Sequence, residues 1–179
     1  MIILPTTYLG SVDWYKQYLS HLTAAKIEVM ESFPKQTYRN RCTITTPDGL
    51  LTLSVPVKRA DSKQLTRDVE ISYQQRWQHQ HWIALMSAYK RTPYFDYYAD
   101  FFRPFYEKET KYLVDLNEGL HDVIVRLMAN KAKSEERIGL LGENRTSDWQ
   151  GMGLETYFGN GQSILDLLFE YGPETVIKI

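Results

Sequence analysis

The spacing of apolar residues changes its period near Gln74, and this change most limits what the chain can fold into. Before it, apolar residues alternate over short runs, as in strands that have one covered face. After it, they recur every three or four residues, as on one stripe of a helix. We therefore predict an α/β fold with a mixed sheet in the first half and a helical C-terminal half.

The opening of the chain predicts a β-α-β unit. The run "IIL" before Pro5 is typical of a short buried strand, and "KIEVMES" alternates as a second one. Between them, Ser11 can cap a helix over residues 12–22. Two strands joined by a helix can pair in parallel, so we expect a parallel pair here.

A β-hairpin is predicted next. Its arms are Thr43–Thr46 and Leu50–Val57, with one apolar face along the second arm. They are joined by "PDG", in which the proline fixes its own φ and Gly49 can take a positive one. The run "DVEIS" at 68–72 is predicted to be a final short strand.

Helices are predicted for the rest of the ordered chain. The first carries an apolar stripe of Trp77, His81, Leu85, Ala88 and Tyr89. Pro104 either kinks the following helical run or lies in the first turn of a new helix. In "QSILDLLFEYGPET", Ser163 and Asp166 resemble a capping box, and Gly172 with Pro173 supplies a stop.

Composition and charge favour one soluble domain over residues 1–179, with a polar surface excursion at about 131–153. A net charge of −1 gives no general attraction to nucleic acid or to an anionic membrane. No apolar run suits a membrane span or a signal peptide, so we expect a cytoplasmic protein without membrane insertion. The single cysteine, Cys42, is expected to be a packed thiol.

Most familiar site motifs are absent, including phosphate-binding glycine loops, nucleophile elbows and paired cysteines. His79 and His81 diverge by about 200° on a helix, so they cannot share a metal ion, and we expect no metal site. His21 and His121 have polar neighbours and are expected at the surface. The sequence indicates neither a cofactor nor an oligomeric state.

His81 is the candidate catalytic residue because it lies on an apolar helical stripe. An imidazole there needs a hydrogen-bond partner, and its ordinary pKa near 6.5 suits an acid or a base. The competing interpretation is a core histidine whose hydrogen bonds are all satisfied within the protein.

The basic run "KQTYRNRC" at 35–42 is the candidate anion site. If a strand begins at Tyr38, Arg39 and Arg41 point to one face, and two guanidinium groups about 7 Å apart can hold a phosphate or a carboxylate. Two alternatives stay open. The run could be a solvated loop, or one arginine could support the site while the other meets the ligand.

Five blocks of the chain together resemble the WbqC-like family, and in particular its Bacteroidetes-type members. The blocks are "LPTTYLGSVDWYKQYL", "KQTYRNRC", "LTLSVPV", "RDVEISYQQRWQHQHWIALMSAYKRTPYFDYYADFFRPFYEK" and "SILDLLFEYGPET". One departure from the family pattern is "FGNGQ" before the last helix, where an apolar-Pro-Asn run is expected.

The resemblance implies which positions matter. It places the family's motifs on Pro5, Tyr8, Asn40, Arg41, Trp77, His81, Tyr89, Pro93, Tyr94, Asp166, Gly172 and Pro173. With the basic run, it gives one expected catalytic residue, His81. The expected substrate-binding residues are Tyr8, Tyr38, Arg39, Asn40, Arg41, Tyr89 and Tyr94.

The resemblance also implies an enzyme of surface-polysaccharide (O-antigen-type) biosynthesis. It would transfer a small acyl or aminoacyl group, with glycine as one candidate, to an amino sugar, and a nucleotide sugar is an expected small-molecule partner. The alternative is a non-catalytic module that binds a nucleotide sugar or a sugar. A nucleotidyltransferase-like protein is a third reading, but its H-x-G-H element is missing.

Overall fold

The computed structural model describes residues 2–22, 24–34, 37–58, 63–128 and 161–179. Their secondary structure confirms the α/β class, with two pairs of strands in the first half and the longest helices after them. The polar excursion predicted at 131–153 lies outside the described residues. In the part of the chain that the structure describes, no helix is long and apolar enough to cross a membrane.

The β-α-β opening is confirmed. It consists of β1 (Ile2–Pro5), α1 (Val12–Ser20) and β2 (Ala25–Glu28). The two strands pair in parallel, with Leu4 of β1 opposite Ile27 of β2. Ser11 caps α1, because its hydroxyl accepts a hydrogen bond from the backbone N–H of Trp14 at 3.2 Å.

The hairpin is also confirmed, as β3 (Arg41–Thr46) and β4 (Gly49–Ser54) in antiparallel pairing. Gly49 takes a φ of 119°, which the turn requires. Within the described ranges, the parallel pair and the hairpin form two separate two-stranded sheets rather than a single one. The expected apolar face of the second arm is covered at Leu53 but not at Leu51, which is 40% exposed.

The strand predicted over "DVEIS" was wrong. This segment makes single bridges to two different neighbours, Val57 to Ile71 and Glu70 to Tyr112. The N–H of Ile71 donates to the carbonyl of Lys111 at 2.9 Å. Because its hydrogen bonds are divided between two partners, no continuous ladder forms.

The helical half contains α2 (Trp77–Tyr89), α3 (Phe95–Glu107), α4 (Leu113–Met128), α5 (Leu165–Tyr171) and α6 (Thr175–Lys178). The stripe predicted for α2 is buried at Trp77, His81, Leu85 and Tyr89. Pro104 lies inside α3, so it does not begin a helix.

The end of α5 is confirmed at Gly172, whose φ is 54°. A Cβ atom there would meet the ring of Tyr94 at 2.5 Å, so glycine is required for space as well as for conformation. The predicted capping box was wrong, because the Asp166 carboxylate accepts from the hydroxyl of Thr45 at 2.7 Å. The N-cap is Ile164, which has no capping side chain, and the hydroxyl of Ser163 before it accepts from the N–H of Leu165 at 3.3 Å.

The core draws on both halves of the chain, from Leu4 and Ile44 on the strands to Leu85, Leu120 and Leu168 on the helices. His121, which we expected at the surface, is only 7% exposed. Its Nδ1 is 3.1 Å from the hydroxyl of Tyr15, and its ring packs among the aromatic side chains of α1. The polar residues beside it in the sequence misled the prediction, whereas the exposed position of His21 is confirmed.

Candidate functional site

A narrow crevice of about 150 Å³ lies where the loop after β1 meets the start of β3. It leaves no room for a water molecule between its walls, so a ligand would contact it at its mouth. The lining residues are Thr7, Tyr8, Leu9, Ser11, Tyr38, Arg41, Cys42, Thr43, Gly161 and Ser163. We refer to this site as the arginine crevice.

The loop between β1 and α1 forms one wall of the arginine crevice and is buried along its whole length. Its conformation is fixed by hydrogen bonds to the carbonyl of Tyr38, from the N–H of Tyr8 and from the hydroxyl of Thr7, both at 3.1 Å. Leu9 is held at a φ of 46°, a left-handed conformation that is uncommon for a residue other than glycine.

Residues close to the C-terminus complete the wall. The hydroxyl of Ser163 donates to the carbonyl of Leu9 at 2.8 Å, and its N–H donates to the carbonyl of Thr43 at 2.7 Å. The N–H of Ile164 donates to the carbonyl of Gly10 at 2.9 Å. Three segments distant in sequence therefore assemble the crevice.

Arg41 is the cation of the arginine crevice. It is the first residue of β3 and is half-buried. Its Nε is buried and has no hydrogen-bond partner among the described residues. A buried donor without a partner is unfavourable by about 1–3 kcal/mol, so an anion that accepted from this N–H would remove that penalty.

Arg39 has a different role. Its side chain is 1% exposed and forms a bidentate pair with Glu31, with Nε to Oε1 at 2.5 Å and the second contact at 2.8 Å. Its carbonyl accepts from the side-chain amide of Asn117 at 2.8 Å. Because a protein carboxylate occupies the guanidinium fork, Arg39 supports the run and is not available to an anionic ligand in this arrangement.

Asn40 and Tyr38 hold the same run in place. The side-chain amide of Asn40 donates to the carbonyl of Val55 at 2.9 Å, and the N–H of Val55 donates back to the Asn40 carbonyl at 2.8 Å. Tyr38 lines the arginine crevice and accepts the two loop hydrogen bonds through its backbone. Of the predicted set, Tyr8, Tyr38 and Arg41 therefore meet in one place.

His81 lies behind the loop, 5% exposed, and its ring is held from two sides. Nδ1 is 2.9 Å from the hydroxyl of Tyr8, and the ring also makes a hydrogen bond to the backbone of Ser54. Burial lowers the pKa of His81 from 6.5 to about 4, while the Ser54 hydrogen bond acts in the opposite direction. The imidazole is therefore neutral at physiological pH.

The hydroxyl of Tyr8 links two buried side chains. It lies 2.9 Å from Nδ1 of His81 and 2.9 Å from the hydroxyl of Tyr106. Burial raises the pKa of both tyrosines, so both stay protonated. Tyr106, Tyr8 and His81 thus form one buried chain of hydrogen bonds.

Tyr89 and Tyr94 lie apart from the lining of the arginine crevice. Tyr89 donates its hydroxyl to Asp166 at 2.5 Å, and burial together with this carboxylate raises its pKa. Tyr94 packs against Tyr98 and Gly172. Cys42 is buried as expected, and burial raises the pKa of its thiol.

The sequence reasoning missed several side chains of the site. Thr7, Ser11 and Ser163 line the arginine crevice, and Tyr106 extends the hydrogen-bond chain. Their only signals in the sequence were a threonine pair after a proline, two helix caps and an aromatic-rich run. Among the residues described, no group of three or more His, Cys, Asp or Glu side chains is placed to hold a metal ion.

Comparison with known protein families adds one assignment. A model described as the WbqC-like protein family matches residues 15–150, well over half of the chain. The chain belongs to the WbqC-like family. The matched span includes Arg41 and His81 and begins after Tyr8 and the loop that forms the crevice wall. Searches of curated proteins and of solved structures gave no match.

Proposed function

We propose that this WbqC-like protein binds the anionic group of a sugar derivative, a nucleotide sugar in the first place, at the mouth of the arginine crevice. The observation that carries the proposal is the buried Nε of Arg41, which lacks a partner among the described residues. The planar guanidinium group suits phosphate oxygens, and the half-buried side chain can reach them at the mouth.

The hydroxyl groups at the crevice support this proposal. Ser11 accepts from Trp14, and its own O–H has no acceptor in the part of the chain that the structure describes, so it can donate to a ligand oxygen. Thr7 and Ser163 already donate to backbone carbonyls, so they face a ligand as acceptors. The crevice therefore suits a group that accepts hydrogen bonds from Arg41 and Ser11 and donates them to Thr7 and Ser163.

We propose binding rather than catalysis as the first candidate function because His81 is poorly suited to act as a base. Its ring is held by Tyr8 at Nδ1 and by the backbone of Ser54, and a pKa of about 4 makes the imidazole a weak base at neutral pH. A direct proton transfer from a substrate to His81 would first need one of these hydrogen bonds to break. The family resemblance supports a role in surface-polysaccharide biosynthesis, and the cytoplasmic location expected from the sequence is part of the proposal.

The binding proposal is tested by isothermal titration with UDP-glucose, UDP-N-acetylglucosamine and UDP. We expect Arg41→Met to weaken binding at least tenfold and Arg41→Lys to weaken it less, because lysine keeps the charge but loses the fork. Arg103→Met, which removes an exposed arginine paired with Glu107, is the matched control and should bind normally. Equal binding by Arg41→Met and the wild-type protein would overturn the proposal.

A second candidate function is transfer of a small acyl or aminoacyl group, such as glycine, to the amine of an amino sugar. It is favoured by the hydrogen-bond chain, because Tyr8 belongs both to this chain and to the crevice lining. Because Tyr8 is fully buried, the loop wall would first have to open to admit the amine. The amine nitrogen would then attack the donor carbonyl, and its proton would pass to the Tyr8 oxygen as the Tyr8 proton moves to Nδ1 of His81. The donor's leaving group would depart with the bonding electrons.

This transfer has a direct assay. The protein is incubated with a nucleotide amino sugar and an activated glycine thioester, and mass spectrometry detects the glycylated sugar. Tyr8→Phe and His81→Asn should each reduce turnover about 100-fold while nucleotide-sugar affinity is retained. If the nucleotide sugar binds but no product forms with these donors, only the binding function is supported.

A further inference from the structure

A second concave site lies away from the arginine crevice and shares no lining residue with it. It is a groove of about 570 Å³, a volume within the usual range for small-molecule sites. Its lining residues come from 58, from 70–74 and from 109–111. We refer to it as the lysine-glutamate groove.

Backbone hydrogen bonds connect the segments at the floor of the groove. The N–H of Lys58 donates to the carbonyl of Glu70 at 2.8 Å, and the N–H of Ile71 donates to the carbonyl of Lys111 at 2.9 Å. Three separate stretches of backbone are thereby joined side by side. A ligand would meet a surface that is already formed, which lowers the entropic cost of binding.

Tyr73 lines this groove, and its side chain is fixed by two hydrogen bonds. Its hydroxyl donates to the carbonyl of Thr110 at 2.9 Å and accepts from the N–H of Thr110 at 2.8 Å. Its ring also lies 5.9 Å from that of Trp77. With the hydroxyl engaged in both directions, the ring is the part of Tyr73 best able to contact a ligand.

Charged groups around the ring are held in place by one another. Glu70 lies between Lys58, at 2.6 Å, and Lys111, at 3.7 Å, and the hydrogen bond from Lys58 lowers the pKa of Glu70. Lys111 also lies over the ring of Tyr112, 4.8 Å from its centre. These groups are prepositioned donors and acceptors with their charges already compensated.

Two further polar groups are free to meet a ligand. Gln74 and Glu109 line the groove and are exposed, and neither has a side-chain partner among the residues described. The two lysines and two glutamates of the lining cancel in charge. Unlike the arginine crevice, this groove therefore has no excess charge to attract a phosphate.

We propose that the lysine-glutamate groove binds an uncharged saccharide. A sugar ring carries hydroxyl groups that both donate and accept, and it has an apolar C–H face. The carboxylate of Glu109 and the amide of Gln74 suit the hydroxyls, and the fixed ring of Tyr73 suits the C–H face. Neutral overall charge, a rigid aromatic surface and free polar groups together favour this class of ligand over an anion.

The test uses the full chain. Maltose, lactose and di-N-acetylchitobiose are titrated in turn, and binding is monitored by ¹H–¹⁵N NMR spectra. We expect at least one sugar to bind and to shift the amide signals of Ile71, Thr110 and Lys111. Gln74→Ala combined with Glu109→Gln should weaken binding at least fivefold, because these two side chains meet the sugar hydroxyls. Both are exposed, so the double variant should keep its packing. Asp100→Asn, an exposed carboxylate on α3, is the control.

Three outcomes would overturn the proposal. The first is that none of the sugars binds at millimolar concentration. The second is that the double variant binds as well as the wild-type protein. The third is that glucuronate and inorganic phosphate bind in the groove while neutral sugars do not. The result is separable from the function of the arginine crevice. Arg41→Met should keep sugar binding in the groove even where it loses nucleotide-sugar binding.

Discussion

Arg39 and Arg41 are separated by one residue, and the structure gives them opposite surroundings. Arg39 forms a bidentate ion pair with Glu31 inside the protein. Arg41 keeps a buried N–H without a partner among the described residues and faces the crevice. An arginine in a basic run therefore serves structure or binding according to whether a protein carboxylate reaches its guanidinium group.

The largest effect is expected where that carboxylate loses its partner. Arg39→Met leaves Glu31 as a largely buried, uncompensated charge, which should lower the free energy of unfolding by about 3–5 kcal/mol in urea denaturation. Arg103→Met, which breaks an exposed pair, should change it by less than about 1 kcal/mol. Similar small losses in both variants would contradict the division between the two arginines.

The next largest effect is expected at His81, which lies behind the loop that forms the crevice wall. Unfolded chains take up the His81 proton near pH 6.5, whereas the folded protein keeps the ring neutral down to about pH 4. Stability should therefore fall as pH drops through this window, by up to about 3 kcal/mol, and be independent of His81 above it. Urea denaturation of the wild-type protein and of His81→Gln from pH 4 to 7 measures the difference, and parallel pH profiles would refute it.

A smaller effect is expected at the contact between α2 and α5. Tyr89→Phe removes one hydrogen bond to Asp166, which keeps those from the hydroxyl and N–H of Thr45. Since a hydrogen bond to a charged group contributes about 1.5–3 kcal/mol, we expect a loss near the lower limit in thermal and urea denaturation. A loss as large as that of Arg39→Met would mean that Tyr89 does more than anchor this carboxylate.

The smallest effect on stability is expected at Arg41. Arg41→Met removes a buried donor that has no partner among the described residues, so the free energy of unfolding should change by less than about 1 kcal/mol or rise slightly. Urea denaturation beside the binding titration separates the two properties. A loss above about 2 kcal/mol would show that Arg41 is a structural residue like Arg39.

The sequence predicted local structure better than side-chain partners. Periodicity identified α2, the hairpin and the parallel opening, because those patterns follow from which side of each element is covered. It could not separate Arg39 from Arg41, since the strand begins at Arg41 and residues 37–40 form a turn. The alternation of a strand therefore does not extend back to Arg39, and the two side chains do not share a face.

The site also depended on contacts between distant residues. Nothing near His81 in the sequence indicates the hydroxyl of Tyr8, 73 positions away, or that of Tyr106 beyond it. The residues around Asp166 predicted a helix cap, but its carboxylate accepts from the hydroxyl of Thr45. The roles of the predicted site residues and the single domain over residues 1–179 stay predictions.

The order in which the chain is made has a consequence for the crevice. Ser163 holds the carbonyl of Leu9 across 154 positions, so this wall does not exist until the segment at 161–164 has left the ribosome. At ordinary rates of translation, the interval after β3 is on the order of ten seconds. A nascent or prematurely terminated chain would carry Arg41 without the enclosure around it, so that unfinished copies would not compete with complete ones for ligand.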